Sequence, residues 1–114
     1  MKLDTKNRIQ LDDSPPRNGI RPAADILFES VAESFSGADV LVVILTGMGN
    51  DSEKGLAALK EKRNCFCLAQ SEKTCVVYGM PRAAVEAGLV DKILDLDKLS
   101  TEIGRLNYAP MPNA

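Results

Sequence analysis

Histidine and tryptophan are missing from this sequence, and cysteine is scarce. The 114 residues contain no histidine, no tryptophan and three cysteines. A structural zinc site takes four cysteine or histidine ligands, so three thiols without any histidine do not complete one. An odd number of cysteines, with no secretory leader expected, also argues against a disulfide framework.

Charge and hydropathy restrict the classes of partner. The chain has 14 Lys and Arg residues and 16 Asp and Glu residues, which gives a net charge of −2. Nucleic-acid binding requires a clustered basic face, so no nucleic-acid partner is expected. The longest apolar run, Val40–Leu45, is much shorter than the roughly 20 residues that span a bilayer. The polar start of the chain is unlike a secretory leader. We therefore predict a cytoplasmic protein without membrane insertion.

Helical and strand patterns alternate along the chain, which predicts one α/β domain. The expected fold is three-layered, with a mainly parallel sheet of about three core strands and helices on both faces. Pro22 and Pro81 favour helix starts, and Gly37 a helix end. The predicted elements are helices at 23–36, 52–63, 79–87 and 96–106 and strands at Val40–Leu45, Cys65–Gln70 and Leu89–Leu94.

The ends of the chain differ in composition from this domain. Residues 1–20 are polar and read as an N-terminal arm, with a possible short strand within 6–11. The partial α/β domain is expected over 21–107. Residues 108–114, with two prolines, are expected to form a flexible tail.

The segment Leu41–Asp51 organises the prediction. Its apolar, β-branched first half is typical of a central strand that is buried on both faces. The second half places Gly47, Met48, Gly49 and Asn50 in a loop at the carboxyl edge of the sheet, where α/β folds bind ligands. Glycines around Met48 would let a backbone N–H approach an oxyanion.

Five patterns allow a structural reading beside a functional one. Asp51 could simply cap the helix that follows it. The spacing Gly47-x-Gly49 lacks the further residues of a dinucleotide or P-loop site. Cys65 and Cys67 share one face of a strand and favour a buried, apolar role over metal binding. Likewise, the pair at 95 and 97 is read as helix caps, and the apolar stripe at 96, 99, 103 and 106 as core rather than partner surface.

Three segments together resemble the catalytic domain of the CheB methylesterase family, and the resemblance covers roughly residues 9–105. They read RPAADILF at 21–28, ILTGMGND at 44–51 and AQSEKTCVVYGMPR at 69–82. The resemblance implies a doubly wound α/β hydrolase, often behind a receiver domain. It would cleave γ-methyl esters of chemoreceptor glutamates to glutamate and methanol in chemotaxis adaptation, with no cofactor. It also implies a Ser-His-Asp triad in which Asp51 is the carboxylate.

The sequence departs from that family in what it lacks. None of its seven serines has a glycine two residues before it, as the family's serine turn requires, and there is no histidine. Ala23 stands where the family often has a serine that caps the helix, which predicts a start weaker by about 1 kcal/mol. We therefore expect a truncated domain that is inactive alone. The alternative is a non-catalytic interaction module in chemotaxis signalling.

A sheet of so few strands is expected to leave an edge open. An exposed edge and uncovered apolar surface favour association with other chains. The expected partners are the missing N-terminal half, a receiver domain, methylated chemoreceptor glutamates and a second copy of this chain.

Overall fold

A three-stranded parallel sheet with helices on both faces forms the centre of the structure. The structure, a computed structural model, describes residues 1–17, 19, 23–34 and 39–107. The strands are β1 Lys2–Leu3, β2 Ile9–Gln10, β3 Val40–Ile44, β4 Cys65–Gln70 and β5 Lys92–Leu94. The helices are α1 Ala24–Ser34, α2 Glu53–Lys62, α3 Gly79–Glu86 and α4 Leu96–Asn107, with a 3₁₀ turn at Glu72–Thr74.

Strand β4 lies in the middle of the parallel sheet. The strand order is β3–β4–β5, with Val42 opposite Cys67 and Leu68 opposite Lys92. All six residues of β4 are buried, as expected for a strand that is covered on both faces and paired on both sides. The prediction that Val40–Leu45 is the central strand is therefore wrong.

Strand β3 instead forms an edge of this sheet. Within the described ranges, its only neighbour in the sheet is β4. Val42 and Ile44 are buried against the helices, but Leu45 beyond the strand is 47% exposed. The apolar run predicted a strand covered by helices, but not its place at the edge of the sheet, because hydropathy does not reveal how many neighbouring strands a strand has.

The two faces of the sheet carry separate apolar cores. The larger core is shared by one face of β3 and β4 with α1, α2 and α3, and the smaller one by the other face with α4. The larger consists of Ala32, Val42, Ile44, Leu56, Leu59, Cys65, Cys67 and Ala84. The smaller consists of Phe66, Leu68, Leu99 and Leu106. Helices therefore cover both faces, and the predicted α/β class is confirmed.

Helices α1 and α2 touch at the level of their backbones. A Cβ atom on Gly55 would lie 2.7 Å from the Cβ of Phe28 and 2.8 Å from the carbonyl oxygen of Asp25. Such distances are shorter than real contacts, so only glycine fits here. The absence of a side chain at Gly55 brings the N-terminal turns of the two helices together.

The first residues form a two-stranded antiparallel hairpin. Strands β1 and β2 pair antiparallel, with Leu3 opposite Ile9. The carboxylate of Asp4 accepts the backbone N–H of Arg8 at 2.9 Å in the turn. The N–H of Leu3 donates to Ser30 Oγ of α1 at 2.7 Å, which ties the hairpin to the helix. The strand within 6–11 was predicted, but its partner β1 was not.

Several element boundaries differ from the predicted ones for local reasons. β5 is shorter than predicted, because the N–H of Leu89 still bonds the carbonyl of Ala84 in α3 at 3.1 Å. α3 begins at Gly79 as predicted, with Pro81 in its first turn, and ends at Glu86. The predicted cap at Gly37, Pro22 and the tail 108–114 lie outside the described residues. Across the described ranges, every helix is too short or too polar to cross a membrane.

The close approach at Gly55 predicts a stability effect. We expect Gly55→Ala to lower the free energy of unfolding by about 1–3 kcal/mol, because the added methyl group forces the two helices apart. The measurement is urea denaturation followed by circular dichroism. The matched control is Gly104→Ala in α4, where a Cβ meets no atom within 4 Å. That variant should be neutral or more stable by up to about 1 kcal/mol. Equal losses in both variants would contradict the packing argument.

Candidate active site

The glycine-rich loop after β3 is fixed to the start of α3. The N–H of Gly47 donates to the carbonyl of Val77 at 2.9 Å, and the carbonyl of Gly47 accepts the N–H of Met80 at 2.9 Å. A Cβ on Gly79 would lie 2.9 Å from the backbone nitrogen of Gly49. The loop therefore needs glycine both within it and opposite it.

The loop residues predicted for an active site lie at the carboxyl edge of the sheet. Met48 is 85% exposed, and Asn50 is also exposed. Gly49 adopts φ 91°, a conformation that glycine tolerates without steric cost. The N–H of Gly47 is bonded to the carbonyl of Val77, so it is not directed at a ligand. An oxyanion role for the backbone at Met48 stays a prediction.

Gln70, at the end of β4, connects this loop to the 3₁₀ turn. Its side chain is 1% exposed, its Oε1 accepts the N–H of Thr46 at 2.9 Å, and its Nε2 donates to the carbonyl of Thr74 at 2.8 Å. Sequence reasoning missed this residue. The available signal was a glutamine that ends an otherwise apolar buried strand, because a buried amide needs partners.

The carboxylate of Asp51 is buried and binds the N-terminus of α1. Its Oδ2 accepts the N–H of Ala24, and its Oδ1 accepts the N–H of Asp25 at 3.1 Å. Only 8% of Asp51 is exposed. The first N–H groups of a helix have no partner within the helix and attract negative charge, so Asp51 caps α1 from outside.

This arrangement corrects two expectations about capping. Asp51 does not cap the helix that follows it, because the N-cap of α2 is Ser52, which makes no side-chain capping bond. Ala23 does not leave the start of α1 uncapped, since Asp51 supplies the acceptor from 27 residues away. Ser52 itself is buried and has φ 93°, and its hydroxyl has no hydrogen-bond partner among the residues that the structure describes.

Asp25 makes the reverse connection, from α1 to α2. It is 1% exposed, and its Oδ1 accepts the N–H of Gly55 at 2.6 Å. Asp25 also lies in the first turn of α1, where a carboxylate complements the positive end of the helix dipole. The residue was missed as part of the site because its partner lies 30 positions further along the chain.

A cavity of about 290 Å³ opens beside the Asp51 carboxylate. Its described lining residues are apolar except for that carboxylate; they are Met1, Ala23, Ala24, Leu27 and Asp51. A carboxylate with two N–H partners retains acceptor capacity on both oxygens. The cavity could therefore admit a group that donates a hydrogen bond to Asp51.

Arg17 lies within the electrostatic influence of the same carboxylates. The hydrogen bond to Glu29, at 2.5 Å, is the main cause that raises the pKa of Arg17, and the charges of Asp25 and Asp51 raise it further. The guanidinium therefore stays charged and is paired with the Glu29 carboxylate of α1.

The polar and thiol pairs outside this region have structural roles. Burial raises the pKa of Cys65 to about 11 and that of Cys67 to about 12, as expected of thiols inside the apolar core. Asp95 accepts the hydroxyl of Ser71 at 2.7 Å, which lowers the pKa of Asp95, and the ammonium of Lys73 lowers it further. Among the residues that the structure describes, there is no cluster of three or more side chains that could hold a metal ion.

Comparison with known proteins identifies the family. The sequence profile of the CheB methylesterase family matches residues 1–103. The chain belongs to the CheB methylesterase family. The resemblance carried by its three motifs is thus confirmed, and the CheB fold agrees with the parallel sheet and surrounding helices described above.

Individual relatives agree with this assignment. The chain is 53% identical over 95 residues to a protein-glutamate methylesterase/protein-glutamine glutaminase of Syntrophomonas wolfei, which covers 83% of this chain and 26% of the relative. The chain is 48% identical over 99 residues to the corresponding protein of Geobacillus kaustophilus. This match covers 87% of the present chain and 28% of the relative. The crystal structure of the Thermotoga maritima CheB methylesterase catalytic domain superimposes with a TM-score of 0.76 and 36% identity.

The chain spans only part of these CheB proteins. It covers 26–28% of the length of the two curated relatives and 49% of the solved catalytic domain, while 83% of the chain itself is matched in that structure. The described fold is therefore comparable to about half of a CheB catalytic domain.

The buried strand thiols predict selective cysteine chemistry. We expect Cys75, which is half-buried, to react with an aromatic disulfide at pH 8 in the folded protein. Cys65 and Cys67 should react only on unfolding, because the reactive thiolate is suppressed and inaccessible. The measurement is the absorbance of the released thiol, with Cys75→Ser as the control that abolishes the fast phase. Rapid reaction of two thiols in the native state would contradict the described burial.

Proposed function

We propose that this chain supplies the carboxylate of a Ser-His-Asp triad in a chemotaxis protein-glutamate methylesterase. The observation that carries the proposal is Asp51, buried at the carboxyl edge of the sheet beside a cavity, in a chain of the CheB family. The substrates would be γ-methyl esters of chemoreceptor glutamates and, from the names of the relatives, protein glutamine side chains. A cytoplasmic location and contact with a receiver domain belong to the same proposal.

The chemistry gives Asp51 one task. A serine oxygen attacks the ester carbonyl, a histidine accepts the serine proton, and methanol leaves to give an acyl-enzyme that water hydrolyses. The carboxylate holds the histidine in the correct tautomer and stabilises its charged form. Asp51 suits this task because the N-terminus of α1 already fixes its orientation.

The other two triad members must come from another polypeptide segment. The sequence contains no histidine, and none of its seven serines has a glycine two residues before it. Asp51 and the loop Gly47–Asn50 would then form one side of an active site that the second segment completes. The chain alone should not hydrolyse the ester.

The open edge of β3 is the proposed docking position for that segment. The N–H groups of Val40 and Thr46 point toward β4, bonding Asn64 O and Gln70 Oε1 at 2.9 Å each. The N–H and C=O groups of successive residues in a strand point to opposite sides of that strand. The backbone groups of Val43 therefore point away from β4, toward the open edge. An apolar groove of about 250 Å³ runs beside this edge, with Leu27, Phe28, Val31, Val40, Leu41, Val42, Val43 and Leu59 in its lining.

Complementation would test the function directly. We expect methanol release from methylated chemoreceptors when this chain is mixed with the remainder of a CheB catalytic domain that carries the serine and histidine. Asp51→Asn should lower the rate by about 10⁴-fold, because the amide favours the wrong histidine tautomer. Methanol is measured by a coupled oxidase assay.

The matched control is Asp97→Asn, at an exposed position in the first turn of α4. It should leave the rate unchanged, and circular dichroism should show both variants folded. An active mixture in which Asp51→Asn is as fast as the wild type would remove Asp51 from the mechanism. A complex that binds the receptor without methanol release would support the non-catalytic module instead.

We further propose that, without a completing segment, a second copy of the chain occupies the β3 edge. Val43→Lys should shift the chain toward monomer at micromolar concentration, because a lysine on an edge strand opposes strand addition. The control is Val76→Lys, since Val76 is 91% exposed in a loop. The measurement is size-exclusion chromatography with light scattering. A monomeric wild-type chain would contradict this proposal.

A further inference from the structure

We propose that Asp25 is a positioning residue for the Asp51 carboxylate. This proposal rests on the proposed function, in which Asp51 orients a histidine. The contact from Asp25 to that carboxylate is made by its backbone N–H, at 3.1 Å from Asp51 Oδ1. It acts by fixing the N-terminus of α1, whose N–H groups hold Asp51, against the N-terminus of α2.

Two hydrogen bonds close a ring through both helices. The N–H of Asp25 donates to Asp51 Oδ1 at 3.1 Å, and the Oδ1 of Asp25 accepts the N–H of Gly55 at 2.6 Å. The backbone from Asp51 to Gly55 completes the ring. A rotation of the Asp51 carboxylate would therefore have to displace α1 or break one of these bonds.

Packing makes the ring rigid. A Cβ on Gly55 would lie 2.9 Å from the Cα of Asp25, so the two backbones have no room to slide. Asp25 is 1% exposed, and a buried charge is retained only where hydrogen bonds satisfy it. The short bond to Gly55 has the geometry of a carboxylate at a helix N-terminus, which is stronger than a bond between neutral groups.

The arrangement also explains why Asp51 can serve two purposes. Its two oxygens each accept one N–H from α1, and neither acceptor bond requires a side chain of the cavity. The cavity-facing acceptor capacity of Asp51 thus remains available to an imidazole. Asp25 would determine the orientation of the Asp51 carboxylate toward that imidazole.

Hydrogen exchange on the intact 114-residue chain separates positioning from general stability. The variants are Asp25→Ala, which removes the acceptor, and Asp25→Asn, which keeps an acceptor oxygen of the same shape. Leu99→Ala is the control, because Leu99 is buried in the core on the other face of the sheet. The readout is the hydrogen-exchange rate of the Ala24 amide, measured by NMR. Denaturant is added to each variant so that all of them have the same free energy of unfolding.

We expect Asp25→Ala to accelerate exchange at Ala24 by about tenfold or more through local opening, and Asp25→Asn to stay within about threefold of the wild type. Leu99→Ala should leave this amide unchanged. Equal exchange in Asp25→Ala and Leu99→Ala would overturn the proposal. If Asp25→Ala does not fold, Asp25→Glu replaces it, because its longer side chain displaces the acceptor while the charge remains.

The complemented enzyme provides a second readout. Asp25→Ala should lower kcat by about tenfold or more with little change in KM, since misorientation of the triad affects the transition state. Asp25→Asn should restore kcat to within about threefold. A variant in which KM rises while kcat stays unchanged would overturn the positioning role. If the wild-type mixture releases no methanol, the proposed function fails, while the exchange experiment still decides whether Asp25 orders the contact to Asp51.

Discussion

A carboxylate bound to the N-terminus of a distant helix holds the carboxyl edge of the sheet and its neighbouring helices together. Asp51 lies just before α2, yet its two oxygens accept the first N–H groups of α1. Helix N-termini carry partial positive charge and N–H groups without partners, so a buried anion is stable there. This one interaction sets the position of α1 relative to the loop after β3.

The remaining contacts at this edge depend on the same geometry. With α1 fixed, Gly55 allows α2 to approach closely enough for Asp25 to accept its N–H. The loop is then bound from the other side by Val77 and Met80. The candidate site is therefore built on two helices and the start of a third. Its position depends on elements that also form the larger core.

Local sequence patterns predicted those features that depend on neighbours in the chain. The apolar run of β4 was predicted with the bounds that the structure has, because its ends are marked by polar residues. The alternation of helices and strands gave the fold class. The family motif ends at Asp51, and the structure places this residue at the carboxyl edge of the sheet, where it was expected; its catalytic role stays a prediction.

Features that depend on distant partners could not be predicted in this way. Periodicity did not distinguish β3 at the edge from β4 in the centre, because both runs are apolar. The bonds of Asp25 and Gln70 join residues 30 and 24 positions apart, and no local spacing encodes them. Likewise, the strand at Lys2–Leu3 is too short to carry a pattern and exists through its pairing with β2.

The capping role of Asp51 has an evolutionary consequence. A residue that only performs chemistry is free to drift once the reaction is no longer needed. Asp51 also satisfies two N–H groups of α1, so its replacement harms folding whether or not catalysis continues. In descendants of such a domain that lose hydrolysis, the carboxylate should therefore outlast the serine and the histidine as a trace of the ancestral enzyme.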